Sequence, residues 1–162
     1  MLESELRIYN INLEKALRVL AETGFEEKET QLQENYFLRQ KQNPSCELYI
    51  RVRVKHNGKQ RIATFTVKQE VGCRDDIHTR QEYEVRIEDD KTFIQAMRLI
   101  GFEMKKRIDK KRIILSKKGF ADINIDIFDE RKIYIEIEHK KIEVIRKTQE
   151  LIKDKDIYNE HN

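Results

Sequence analysis

Three short stretches of this chain place carboxylates two or four residues apart, on one face of an alternating pattern: Glu3 and Glu5 near the start, Asp122 with Asp126, and Glu136 with Glu138. Others do the same with bases: Arg51 and Arg53, Lys68, and Lys110 with Arg112. Clustered carboxylates repel one another and take up protons unless a divalent cation holds them ionised, and all-oxygen donors suit Mg²⁺ or Mn²⁺. Guanidinium and ammonium groups recognise phosphate. Acids on one wall and bases on another are the chemistry of a site for a polyanion carrying several phosphates. An ordinary α+β sandwich with its charged faces in water explains any one of these strands equally well.

The choice rests on the elements that carry the charges. With a side-chain period of two, Ile133, Ile135 and Ile137 share one strand face while Tyr134, Glu136 and Glu138 share the other. Ile123 to Ile127, Glu3 to Ile8, Leu48 to Val54, Ala63 to Gln69 and Glu82 to Ile87 alternate in the same way. Glu34 to Leu38 reads as a short strand, the segment from Arg39 to Glu47 containing Pro44 as a loop, and Glu70 to Arg80 as another loop. Asn57-Gly58 signals a hairpin, and Gly119 a turn. Asn12 caps a helix ended by Gly24, a second helix runs from about Asp90 to Ile100 with Phe93, Met97 and Ile100 inward, and a third covers about 140–155 before a frayed tail at 156–162.

The chain also repeats itself. Glu3-x-Glu5-x-Arg7-Ile8, a helix and Gly24-Phe25 correspond to Glu82-x-Glu84-x-Arg86-Ile87, a helix and Gly101-Phe102, which predicts two pseudo-symmetric halves. Amphipathic helices need an apolar sheet face to pack on. If eight antiparallel strands curl into a barrel with the helices outside, the charged faces are enclosed as a polar tunnel.

Composition narrows the alternatives. At 162 residues the chain is expected to form one domain over its whole length. Charged residues reach 39%, yet the 33 bases nearly balance the 30 acids, so the net charge of +3 does not call for nucleic acid. Cys46 and Cys73 lack metal-ligand spacing, and no run is apolar enough for a membrane span or a signal peptide core. A reduced, cytoplasmic location without a membrane partner is the expectation. The histidines, including His139 and His161, share no spacing, and no phosphate-cradling glycine loop or Gly-x-Ser-x-Gly elbow is present.

The ordered set of motifs resembles the CYTH domain of the triphosphate tunnel metalloenzymes, a family that includes class IV adenylyl cyclases and thiamine or inorganic triphosphatases. Glu3-Ser4-Glu5-Leu6-Arg7 resembles its Glu-x-Glu-x-Lys, Leu48 to Arg53 its Leu-Arg-x-Arg strand, and Thr66-Val67-Lys68 its Thr-x-Lys. Arg80 to Glu84, Lys110-Lys111-Arg112, and Asp126 followed by Glu136 and Glu138 complete the series. The resemblance implies an eight-stranded antiparallel tunnel binding Mg²⁺ or Mn²⁺, with Glu3, Glu5, Asp126, Glu136 and Glu138 as metal ligands. It implies phosphate binding by Arg7, Arg51, Arg53, Lys68, Lys110 and Arg112, a catalytic set of Glu3, Glu5, Arg7, Lys68, Lys110 and Arg112, and Glu82, Glu84 and Tyr134 as further lining.

Arg7 stands where the family has lysine, and arginine cannot surrender its proton to become a base. In an adenylyl cyclase the nucleophile is the substrate's own ribose hydroxyl, so the reading leans to ATP giving cyclic AMP and pyrophosphate. A triphosphatase acting on inorganic, thiamine or nucleoside triphosphate is the alternative, and a polyphosphate or nucleic-acid binding protein, through Lys105-Lys106-Arg107 and Lys110-Lys111-Arg112, is the non-enzymatic one. The resemblance leaves a homodimer open.

Overall fold

The computed structural model describes residues 1–43, 45–129 and 132–159. Pro44 and residues 160–162 of the expected tail, with His161, lie outside the described residues. The elements run β1 (Leu2–Ile8), α1 (Leu13–Glu22), β2 (Glu26–Gln40), β3 (Tyr49–Asn57), β4 (Gln60–Arg74), β5 (Ile77–Ile87), α2 (Asp90–Leu99), β6 (Phe102–Ser116), β7 (Asp122–Asp129), β8 (Lys132–His139) and α3 (Ile142–Ile152). The eight strands close into an antiparallel barrel in the order β1-β5-β4-β3-β2-β6-β7-β8. Strand, helix and three strands therefore occur twice, and the corresponding strands meet: β1 pairs with β5, and β2 with β6.

Local chemistry sets the helix ends. Asn12 Oδ1 accepts from the Lys15 amide (3.1 Å) at the start of α1, and Asp89 Oδ1 accepts from the Thr92 amide (3.0 Å) at the start of α2. Gly24 (φ 83°) and Gly101 (φ 97°) follow the two helices in the left-handed conformation that ends them with little strain. Helices α1 and α3 cover one half of the barrel, where Leu6, Leu20, Ile123, Ile125, Ile135, Ile137 and Ile145 form the main core. Helix α2 covers the other half over a smaller cluster of Leu38, Ile50, Val52 and Ile94. Ile100, expected to face inward, is 70% exposed because the helix has ended before it; Ile94 takes the buried place.

Three regions differ from the sequence reading. β2 spans fifteen residues rather than five, and the strand continues past Leu38 to Gln40, because pairing with β3 and β6 on either side overrides its polar composition. The segment from Glu70 to Arg80 is a hairpin rather than a loop, with Asp75 (φ 52°) and Asp76 (φ 63°) forming its tight turn. At the preceding hairpin the two-residue loop is Gly58-Lys59, since Asn57 still pairs with Gln60.

The stretch 156–159, expected to fray, is instead tied to the body. Ile157 is buried, its carbonyl accepts from the Asn12 amide (2.9 Å), and Tyr158 bridges to Ile11. α3 is anchored by Thr148, fully buried, whose Oγ1 accepts from the Ala121 amide (2.9 Å) and donates to the Val144 carbonyl (2.8 Å). Thr148→Val keeps the shape but strands the amide, so we expect a loss of about 1–3 kcal/mol, read as a lower urea midpoint with an unchanged slope.

Candidate functional site in the barrel lumen

Register decides which faces meet. Arg7 lies opposite Glu136, Arg112 opposite Asp126, Lys68 opposite Glu82, and Arg51 and Arg53 opposite Thr66 and Thr64. Facing residues on antiparallel strands point to the same side, and the aliphatic sides are already taken by the helices. The charged sides therefore line the lumen, with cavities of about 660 Å³ toward one mouth and about 220 Å³ toward the other. Every residue singled out from the sequence as a site candidate lines one or both of these cavities, except Asp126, which lies sealed behind Lys110 and Arg112.

The acids fall into separate groups rather than one. Asp126 accepts two bonds from Arg112 (2.6 and 2.6 Å) and one from Lys110 (2.5 Å). Glu136 accepts from Arg112 (2.9 Å) and Arg7 (3.0 Å), while Glu5 pairs with Arg7 (2.8 Å) and Arg80. Glu3 pairs with Lys68, which also reaches Glu82 at 3.4 Å. Glu84 accepts from Thr66 (2.9 Å) and Thr64 (3.3 Å).

Burial opposes ionisation throughout the lumen, and its neighbours decide each outcome. For Glu136, the charges of Arg112 and Arg7 overcome desolvation and hold the carboxyl well below the usual carboxylate range. Desolvation pushes Glu138 the other way, up to about 9, reinforced by a hydrogen bond with Glu3 and by its charge. Burial also opposes Glu3, yet that same hydrogen bond and the charge of Lys68 bring it down to about 2. Glu82 is raised as well, by burial and by its own hydrogen bond with Glu3. Lys110 is brought down to about 7 by burial and by Arg112, against the pull of Asp126.

Across the lumen the cations of β3 are, among the described residues, hydrogen-bonded to no carboxylate, and Glu84 is the acid whose charge reaches them. Arg51 is 4% exposed; its Nη1 donates to Tyr49 Oη (3.1 Å), while its Nε and Nη2 are buried with no acceptor. Arg53 Nε donates a long bond to Asn35 Oδ1 (3.3 Å), and burial, then the charge of Arg51, brings its guanidinium down to about 9. Lys55, next in the alternation, is lowered by burial and by Arg53. Buried donors left open beside like charges are a site awaiting an anion.

The smaller mouth carries aromatic rings among these cations. Phe37 and Tyr49 pack edge to face (5.2 Å), Phe128 and Tyr134 pack at 5.3 Å, and Lys106, Arg51 and Lys132 lie over their faces. Arg80 and Lys55 were missed as lumen residues by the sequence reading. Arg80 follows the even parity of Glu82 and Glu84 but sat in the supposed loop, and Lys55 extends the alternation of Arg51 and Arg53 by one step.

Among the described residues no three carboxylate, histidine or cysteine side chains converge as a ready metal cage. The donor set nevertheless fits a hard divalent cation in kind: carboxylate oxygens only, with Glu3 and Glu138 hydrogen-bonded to each other where a cation would favour the ionised form of both. Asp126, Glu136 and Glu5 join it only by exchanging arginine or lysine partners for the ion.

A family model for the CYTH domain matches residues 1–160. No curated protein sequence matches the chain. Among solved structures, protein PH1819 of Pyrococcus horikoshii OT3 superposes with a TM-score of 0.78 at 19% identity, over 98% of this chain and 94% of that one. An adenylate cyclase candidate of Vibrio parahaemolyticus follows the same fold with a TM-score of 0.69 at 18% identity, over 94% and 86%. HpAC1 of Hippeastrum, a candidate adenylyl cyclase with a dominant triphosphatase activity, matches with a TM-score of 0.73 at 16% identity, over 99% and 92%.

Proposed function

The chain belongs to the CYTH-domain family, and from that premise we propose that its lumen binds the triphosphate tail of a nucleoside triphosphate and cleaves a phosphorus–oxygen bond within it. The family is one of triphosphate tunnel metalloenzymes, and its members bind triphosphate substrates. The observation that carries the reading is the column of Arg51, Arg53 and Lys55 on one lumen face: Arg51 is buried with two guanidinium nitrogens lacking an acceptor, and burial together with the like charges beside them lowers both Arg53 and Lys55, with Glu84 the acid whose charge reaches them. A phosphate chain supplies the missing acceptors and relieves the repulsion together.

Each residue has a part in this reading. Arg51 and Arg53 grip the chain, and Lys68 on the adjacent β4 and Arg112 on β6 carry charge toward it from either flank. Arg7, held between Glu5 and Glu136, is a fixed cation whose proton is retained against burial by those two carboxylates, so it orients phosphate and does not serve as a base. Glu3 and Glu138 would hold Mg²⁺ or Mn²⁺, with Glu5, Glu136 and Asp126 joining them on giving up arginine or lysine partners. When bound, the ion supplies charge neutralisation on the phosphate oxygens. The aromatic mouth, with Phe37, Tyr49, Phe128 and Tyr134, gives a planar base somewhere to stack, which favours a nucleotide over inorganic triphosphate.

Attack by the ribose hydroxyl would make this an adenylyl cyclase; attack by water would make it a triphosphatase. Arg7 in place of a base-capable lysine favours the first reading. Incubation with ATP and Mg²⁺ or Mn²⁺, with cyclic AMP, pyrophosphate and orthophosphate resolved chromatographically, separates the two. Cyclic AMP with equimolar pyrophosphate supports the cyclase; orthophosphate alone replaces it with the triphosphatase, and failure to bind tripolyphosphate at all removes both.

Lys110 gives the binding step a pH signature. Its free value of about 7 rises when phosphate binds, so affinity for metal-free tripolyphosphate is fullest below pH 7 and falls as pH climbs from there. Lys110→Arg keeps its charge, and the ligand's own ionisation is common to both proteins. The variant-to-wild-type affinity ratio is therefore expected to grow between pH 7 and 9, by up to roughly tenfold per unit. Calorimetric titration checks this, and a constant ratio would count against it.

A further inference from the structure

We propose that Cys73, with His78 and Glu70, forms an activated thiol at the rim of the barrel that exchanges with small disulfides carrying carboxylates. The hairpin of β4 and β5 projects past the barrel wall, and Cys73 lies directly opposite His78 on it. Between Glu70 and Gly72 the register shifts by one residue, so Val71 is extra. Without that bulge Cys73 would fall on the opposite face from Glu70; with it, Glu70, Cys73, His78 and Arg80 share one face.

The contacts make a directed relay. His78 Nδ1 lies 2.9 Å from Glu70 Oε1, and His78 Nε2 lies 3.9 Å from the Cys73 sulfur. Because a carboxylate can only accept, it fixes the proton on Nδ1 and leaves the Nε2 lone pair toward the thiol. Glu70 is itself held by Arg80, whose Nε donates to Oε2 at 2.9 Å. Nucleophile, base and orienting acid stand in the order that activates a thiol, and Cys73 is exposed.

A second feature lies beside the relay. His78 and Arg80 also line a groove of about 470 Å³ that continues past Arg7 and Lys153 and is flanked by Tyr9 and Tyr158. Lys153, the two rings and the outer edges of Arg7 and Arg80, which also hold Glu5, Glu136 and Glu70, suit a small peptide-like group bearing carboxylates, with Asp76 the acid on the groove's lining. The step balances without another reactant. His78 Nε2 takes the Cys73 proton, the thiolate sulfur bonds to one sulfur of the disulfide as its sulfur–sulfur bond breaks, and the departing thiolate takes that proton. Cys73 is oxidised to a mixed disulfide and the departing half is reduced to a thiol.

The test is independent of any activity in the lumen. The full chain is mixed at pH 7 with glutathione disulfide or, separately, with uncharged hydroxyethyl disulfide, and the mixed disulfide at each cysteine is timed by peptide mass spectrometry. Cys73 is expected to react about tenfold or more faster than Cys46, and faster with the charged disulfide than with the neutral one. His78→Gln should lower the Cys73 rate roughly tenfold and make it climb with pH as an isolated thiol does, and Glu70→Gln should lower it severalfold, with thermal midpoints unchanged. Equal rates at the two cysteines, equal rates with the two disulfides, or an unaltered rate and pH profile in folded His78→Gln would each overturn the proposal.

Discussion

Arg51→Met is expected to make the free protein more stable and to disable it. The side chain is 4% exposed, and two of its guanidinium nitrogens have no acceptor, so Tyr49 offsets its desolvation only in part. Methionine follows a similar path with no charge to desolvate and lessens the repulsion on Arg53, whose value burial and Arg51 depress. A gain of about 1–2 kcal/mol is anticipated, or roughly 2–8 °C in melting temperature. The same substitution removes at least two charge-assisted bonds to a bound phosphate chain, so tripolyphosphate affinity should fall about a hundredfold or more. Thermal melts and calorimetric titration of one preparation measure both signs. A variant that is less stable yet binds normally would show that Arg51 is a structural cation, and the reading of the β3 column would fail with it.

Arg112→Met should have the opposite effect on stability, although the residue type and the burial are alike. Arg112 is 7% exposed and donates to Asp126 twice and to Glu136 once; Asp126 is fully buried and Glu136 4% exposed. Removing the guanidinium leaves buried carboxylates short of their main counter-charge. We expect a loss of about 3–5 kcal/mol near pH 7, or roughly 6–20 °C.

The pH dependence identifies the cause. In the wild type the Glu136 carboxyl is held far below its unfolded value, against burial, by Arg112 and Arg7. Its contribution is therefore present above the unfolded value near 4.5 and lost as pH falls through the folded one. In the variant Glu136 loses its largest counter-charge, so the gap in stability between the two proteins should narrow as pH is lowered toward 4. A gap independent of pH would attribute the loss to packing instead.

Some of this was legible in the chain itself. Alternation at Ile133 to Glu138 and Ile123 to Ile127 marked strands with one apolar and one charged face, and Asn12, Gly24 and Gly101 marked helix ends, because these signals depend on neighbouring residues alone. The repeated run of strand, helix and Gly-Phe was legible for the same reason, and β1 pairing with β5 and β2 with β6 is its spatial counterpart. The long strands were not. Glu26 to Thr30 and Glu70 to Arg80 carry polar residues on both faces, and only partners on adjacent strands hold them extended.

The sequence by itself determined the inventory: which strand faces are charged, which sign each carries, and that the helices need the opposite faces. Closure of the barrel decided the rest. An identical alternating strand can turn its carboxylates to water or to a lumen, and nothing within the strand distinguishes the two. The difference arises when β8 returns to pair with β1, bringing Glu136 opposite Arg7 and Glu138 opposite Glu5. It was closure, too, that divided the charges unequally, pairing Asp126 and Glu136 with Arg112 while leaving two guanidinium nitrogens of Arg51 without an acceptor. Coulomb energies vary with the inverse of distance and with local dielectric, and both are properties of the closed barrel rather than of residue order.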